Sequence, residues 1–279
     1  MEPRSKYMHE MKTYQKFLNE SRTIAIKSKK TALDIIAKYA PWYDPYNCVT
    51  PLYRGLDNYE KINYRLTNPK KSYREPSNDA ANYQQLIMDE NPSWKDYPKR
   101  GYSVIGTTSD KIAGLYGGDD YNAVFRLIPL KENSLFGVCP KADIWTSFPK
   151  LCDFYSEICE LFNNYEDFDI ESISDWSDFL KDEIIHNIQP DYNELETKIN
   201  AFYINDDIQS RISPDLKNKI AKAGGLFNYT VKLMEPKLNK FKLINYNLTS
   251  VIYNISNVFD NREVWTSAEC LMVKESLLH

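Results

Sequence analysis

The chain has 279 residues, of which 42% are hydrophobic and 27% charged, with a formal net charge of -4. That length accommodates a sizeable core, and the composition excludes disordered, collagenous and coiled-coil classes. The mild acidity excludes a general polyanion binder while leaving room for local basic patches.

Taken in chain order, residues 1–39 read as one or two helices. Ile24, Ile26, Leu33, Ile36 and Ala40 recur near helical spacing until Pro41 stops the pattern. About nine Lys and Arg stand against four acids there, so one face is expected to be basic. Pro51-Leu-Tyr-Arg-Gly-Leu56 reads as a short buried strand carrying one charge. Residues 59–94 are polar and weakly periodic, a long loop with a helix expected near Asn78–Met88. Tyr102–Thr108 is a predicted strand. Ser109 or Thr108 can then cap a helix over Asp110–Tyr116, which Gly117-Gly118 ends. Asn122–Leu130 and Ser134–Val138 are further predicted strands.

The composition breaks at about Trp145. Residues 151–210 hold about sixteen acids and two bases at helical apolar spacing, and residues 211–242 about eight bases and two acids. Leu243–Phe259 is β-branched and reads as a helix or as paired strands. Glu263-Val-Trp and Cys270-Leu-Met-Val273 close the chain as two short strands joined by a turn. The five cysteines, Cys48, Cys139, Cys152, Cys159 and Cys270, form no CxxC pair. With only three histidines they offer no zinc spacing, and they read as reduced thiols. No apolar stretch of export-signal or membrane-span character is found, so a cytoplasmic protein without membrane association is expected.

Three segments carry chemistry. Arg54, flanked by Leu52, Tyr53 and Leu56, is either a buried ion-pair partner or a planar fork for a phosphate or carboxylate. Gly55 would let a ligand approach the backbone. Ser103, Gly106, Thr107, Thr108 and Ser109 put hydroxyls and a glycine at a strand end running into a helix. That pattern fits a helix cap or the lining of a cleft. Glu263 is either a solvent-facing strand residue or a carboxylate that hydrogen-bonds a sugar hydroxyl and stabilises a developing cation.

Together the segments resemble the Arg–Ser–Glu clan of ADP-ribosyltransferases. Leu52-Tyr53-Arg54-Gly55 looks like its first motif. Ser103-Val-Ile-Gly-Thr-Thr-Ser109, followed by Ile112, Ala113 and Tyr116, looks like the second. Asn261-Arg-Glu263-Val-Trp265 looks like the third. Phe136-Gly-Val-Cys-Pro and Asp143-Ile-Trp-Thr-Ser-Phe148 are similar to stretches of phage and prophage members. The pattern is departed from twice. Gly106 stands where a Ser falls in the simplest alignment, so that Thr107 or Ser103 takes its role or the alignment slips by one. Asn261 stands where arginine-modifying members carry Glu or Gln.

The resemblance implies an α+β fold of two small antiparallel β-sheets flanked by helices. Residues 1–279 would form a single domain, with 1–40 an N-terminal helical segment and 150–242 a helical insertion. It implies NAD as co-substrate and no metal. Glu263 would stabilise the ribosyl cation, and Arg54 would clamp the diphosphate or position a ribose. The backbone of Gly55 would hold the nicotinamide amide, and Thr107 or Ser103 would orient Glu263. Thr108 would support the strand or cap the helix, and Tyr116 or Tyr121 would stack on nicotinamide. The acceptor would be RNA or protein, in the cytoplasm of a bacterial host. An antitoxin partner is a further implication of prophage relatives. The basic segments could contact nucleic acid, although pairing with the acidic stretch of the same chain is the simpler reading. The alternatives are a catalytically inactive binding protein of the same fold, and an acidic helical inhibitor of a host factor.

Overall fold

The computed structural model describes residues 28–56, 62–74, 82–118, 121–154, 192–204, 209–210, 212–252 and 261–279. Local chemistry sets the helix ends. Ser28 caps α1 (Lys29–Tyr39) by accepting from Thr31 N–H, and Ala32 and Ile36 form its buried stripe. The next helix is α2 (Asn82–Glu90), close to the stretch the sequence marked. Ser109, rather than Thr108, caps α3 (Asp110–Tyr116) by accepting from Ile112 N–H, and Asp110 lies in its first turn. After α4 (Tyr192–Ile204) comes α5 (Pro214–Ala223), with Ser213 as cap, Pro214 at its first position and left-handed Gly224 as stop. α6 (Leu226–Leu233) follows directly.

The strands are β1 (Tyr53–Gly55), β2 (Tyr64–Thr67), β3 (Val104–Thr107), β4 (Val124–Pro129), β5 (Ser134–Val138), β6 (Lys242–Tyr246), β7 (Glu263–Thr266) and β8 (Cys270–Lys274). They pair antiparallel in the order β2-β8-β4-β1-β3-β7-β5-β6. The expected two sheets are therefore one hydrogen-bonded order. Its halves, β2-β8-β4-β1 and β3-β7-β5-β6, meet through a single residue pair, Tyr53 with Thr107. The division survives as a narrow seam, because only one residue of β1 pairs with β3.

Adjacent residues of β7 face opposite ways, as a pleated strand requires. Trp265 lies in an apolar cluster with Ile87 of α2, Leu195 of α4, Ile220 of α5 and Phe227 of α6. Val264 lies in a second cluster with Leu52, Phe125, Leu271 and Ile36 of α1. The sheet is thus covered on both faces.

The described parts of 150–242 are largely helical up to the start of β6, which resolves the ambiguity at residue 243 in favour of a strand for Lys242–Tyr246. The acidic stretch 155–190 and residues 1–27 lie outside the described residues, and with them most of the charge-pairing expectation. No described helix is long and apolar enough to cross a membrane.

Candidate functional site

β3 is the element that assembles the site. Thr107 pairs with Tyr53 of β1 on one side and with Glu263 of β7 on the other. Arg54, next to Tyr53, donates through Nη1 to the carbonyl of Ile105 on β3. Three segments far apart in sequence thereby bring Arg54, Thr107 and Glu263 onto adjacent strands.

Glu263 is buried, with 6% of its surface exposed. Its backbone is fixed by Cys139 N–H donating to its carbonyl at 2.9 Å, and by its own N–H donating to Lys141 O at 3.2 Å. Its carboxylate accepts from Arg100 Nη1 at 2.5 Å and from Ile144 N–H at 3.3 Å. The Cys139 Sγ lies 3.9 Å from Oε1. The 136–148 stretches singled out in the sequence therefore wrap the third motif. Burial holds the Glu263 carboxyl above its usual range, and the Asp143 carboxylate pushes the same way. Arg100 and the Ile144 amide pull it back. Burial likewise pushes the Cys139 thiol up.

Arg100 was not among the sequence candidates, and neither was Arg74. Both are positioned by α2. Asp89 accepts from Gly101 N–H at 2.9 Å, and Gln85 Nε2 donates to Arg74 O at 2.7 Å. These two side chains are one helical turn apart on one face. Arg74 N–H also donates to Gly101 O at 2.6 Å, joining the two arginine-bearing segments. Burial pulls Arg74 down to about 9, with the Arg54 and Arg100 guanidinium groups adding to the fall and Glu263 opposing it. Arg74 thus feels both neighbouring guanidinium groups and the Glu263 carboxylate, while Arg100 is the one that bonds the carboxylate directly.

The remaining candidates divide. Thr108 Oγ1 accepts from Arg262 N–H at 2.9 Å, and Thr108 N–H donates to Arg262 O at 3.0 Å. It therefore pins β7 to β3 one residue beyond Glu263. Tyr116, at the end of α3, is 59% exposed, and its hydroxyl reaches Asp143. Partial burial raises that hydroxyl, the carboxylates of Asp143 and Glu263 add to the rise, and Arg100 opposes it. The side chain of Tyr121 lies outside the described residues.

Ser103 does not meet Glu263. Its Oγ lies 2.6 Å from Lys99 O, to which it donates, and 3.0 Å from Ser267 Oγ, at the opposite end of β3. Gly55 is not open to a ligand on the side where a Cβ would stand. A methyl group there would lie 2.0 Å from Ala113 O and 2.6 Å from Gly117 N, so the glycine admits α3 instead. A Cβ at Gly106 would lie 2.7 Å from Leu127 Cδ2 and 2.9 Å from Tyr53 O. A serine there is sterically opposed, and the hydroxyl row begins one residue later, at Thr107-Thr108-Ser109. Thr107 Oγ1 accepts from Ser109 N–H at 3.2 Å.

Among the described residues, no group of three or more His, Cys, Asp or Glu could hold a metal ion. No family model, curated protein or solved structure matches the chain.

Proposed function

We propose that the protein is an NAD-dependent mono-ADP-ribosyltransferase that delivers ADP-ribose to RNA or protein and releases nicotinamide. One observation carries this reading: Thr107 stands between Tyr53 and Glu263 in the strand register, bringing the Arg54 and Glu263 segments to one place. The chemistry asks for a carboxylate at a forming ribosyl cation and cations at a diphosphate. A buried Glu263 beside Arg100, with Arg54 and Arg74 acting on the same surroundings, supplies both kinds of group.

In this reading the bond between nicotinamide nitrogen and ribose carbon breaks, and the electron pair leaves with nicotinamide. Glu263 accepts a hydrogen bond from the ribose 2′-hydroxyl and stabilises the cation left behind. A nucleophile of the acceptor then bonds to that carbon and loses its proton. Tyr116, exposed at the rim, offers a ring to the leaving nicotinamide or to the acceptor. An enzyme of this kind fits a phage or prophage effector, or the toxin of a toxin–antitoxin pair, working in bacterial cytoplasm.

The test is incubation of labelled NAD with bacterial lysate, wild type beside Glu263→Gln, followed by separation into protein, RNA and DNA. Label in one fraction with wild type alone is the expected result. Glu263→Gln should lower nicotinamide release by about 100-fold or more, as loss of a main electrostatic group does. Equal release by both proteins would remove Glu263 from the chemistry, and no release by either would remove the transferase.

A further inference from the structure

Two buried oxygens of α2, Gln85 Oε1 and Asp89 Oδ1, have no hydrogen-bond partner among the described residues. Their side chains are 3% and 7% exposed and lie one turn apart on one helix face. Buried acceptors are nearly always paired, so two neighbouring orphans are costly. The rest of each side chain is bonded. Asp89 Oδ2 accepts from Gly101 N–H at 2.9 Å, and Gln85 Nε2 donates to Arg74 O at 2.7 Å. Arg74 N–H donates in turn to Gly101 O at 2.6 Å. The four residues therefore form a ring, Gly101 to Asp89 to Gln85 to Arg74 and back to Gly101. Every link is made except the one between Asp89 and Gln85.

A carboxylate oxygen and an amide oxygen only accept, so they cannot bond each other. A carboxylic acid can donate its O–H to the amide oxygen, which closes the ring with no further group. We infer that Asp89 works as a neutral acid that donates to Gln85, and that the closed ring makes it a positioning residue for Arg100. Arg100 immediately precedes Gly101, and its guanidinium bonds Glu263. The consequence for chemistry at Glu263 rests on the proposed transferase; the ring itself does not.

The groups facing Asp89 agree with this. Burial raises its carboxyl to about 6, and Glu90 on the same helix adds to the rise. The Gly101 and Arg100 amides and Lys99 oppose it, although Lys99 is itself bonded to Glu90 at 2.8 Å. Tyr73 faces both Asp89 and Gln85, and burial raises its hydroxyl to about 12, so that it stays neutral there. Gln85 favours the ionised form of that hydroxyl, as a donor does, so the contact uses the amide nitrogen and leaves Oε1 to Asp89. α4 meets the end of α2 at Asn91, which donates to Tyr192 Oη at 2.7 Å. A bond that favours the neutral form raises a carboxyl further. The ring is then closed in mild acid and opens as pH rises.

The test is carbon-13 NMR of the full chain with labelled Asp carboxyls, Asp89 being the signal missing from Asp89→Asn. It should titrate with a midpoint of about 6 or above. Gln85→Met keeps the volume and removes the acceptor, and should lower that midpoint by about one unit, the worth of one hydrogen bond. Amide exchange at Arg74 and Gly101, compared at about pH 5, should be about tenfold faster in Asp89→Leu. Asp89→Asn should restore it, because an amide N–H replaces the acid O–H. With NAD, kcat for nicotinamide release should follow the same order, about tenfold lower in Asp89→Leu and recovered in Asp89→Asn.

A midpoint near the ordinary value of about 4 would mean an ionised Asp89 and overturn the inference, as would a midpoint unmoved by Gln85→Met. Exchange in Asp89→Leu equal to wild type would end the positioning role. Should Gln85→Met or Asp89→Leu fail to fold, Gln85→Asn and Asp89→Ala take the same comparisons. The two readings fail separately. The expected titration and exchange, with no nicotinamide released, would keep the ring and end the transferase. Nicotinamide release with a low Asp89 midpoint would do the reverse.

Discussion

Arg100 decides how basic the buried Glu263 becomes. Burial and Asp143 favour the neutral carboxyl, whereas Arg100 and the Ile144 amide favour the carboxylate. A reaction that needs the carboxylate fails as pH falls through this raised value. Removing Arg100 takes away the main opposing influence, so the acid limb must move to higher pH. In the proposed transferase, Arg100→Gln should therefore shift the acid limb of kcat upward by about one unit or more, an effect in the range known for a carboxylate beside arginine. Cys139, Tyr116 and Arg74 also border this carboxylate and remain unchanged in the variant. Nicotinamide release followed from pH 5 to pH 9 checks this, and superimposable limbs would deny Arg100 its positioning role. Asp89 behaves differently, because its burial raises it to about 6, while Gly101 and Arg100 amides pull it down less strongly. A carboxyl raised on folding keeps its proton when the unfolded chain has lost it. Stability from this group is then greatest below about pH 4 and is lost as pH rises through about 6, by about 3 kcal/mol. In Asp89→Asn that slope should vanish from melting temperatures recorded between pH 4 and pH 7.

At the scale of elements, α3 and β1 touch backbone to backbone at Gly55. Gly55→Ala pushes a methyl against the carbonyl of Ala113 and should cost about 1–3 kcal/mol, measured by urea unfolding, as overpacking does. The strands carrying Arg54, Thr107 and Glu263 were legible in the sequence because each is a short apolar run bounded by turn residues. The Ser109 cap and the Gly117 stop made α3 legible in the same way. β2 was not, because Tyr64-Arg65-Leu66-Thr67 reverses the usual order: Arg65 is buried and Leu66 exposed. Arg74 and Arg100 were hidden for a related reason. A charged residue in a polar loop reads as solvated until a helix side chain is seen holding its neighbour. The nearest signal was Gln85 with Asp89, two polar residues four apart on a helix whose stripe should be apolar. The expectation of two sheets went astray at one non-local pair, Tyr53 with Thr107, which no local pattern encodes.

Across the whole molecule, the half-sheet opposite Glu263 has its own buried polar centre. Arg126 donates to Glu275 through two nitrogens and to Tyr43 Oη at 3.0 Å, while His279 Nε2 lies 3.1 Å from Glu275 Oε1. Glu275→Ala leaves the Arg126 charge buried, and should lower unfolding free energy by about 3–5 kcal/mol in denaturant titrations, while the nicotinamide release of the proposed transferase at low temperature is retained. In backbone pairing the two half-sheets meet only at the Tyr53–Thr107 pair, which the Arg54 side chain supports by donating to the Ile105 carbonyl. A molecule gripped by Arg54 on one side and Glu263 on the other would therefore act as a cross-brace. Its binding would suppress a breathing motion that parts the halves, and the gain should appear in amide hydrogen exchange as slowed exchange concentrated in residues 51–56 and 103–108, with the distant β2–β8 pairing little altered.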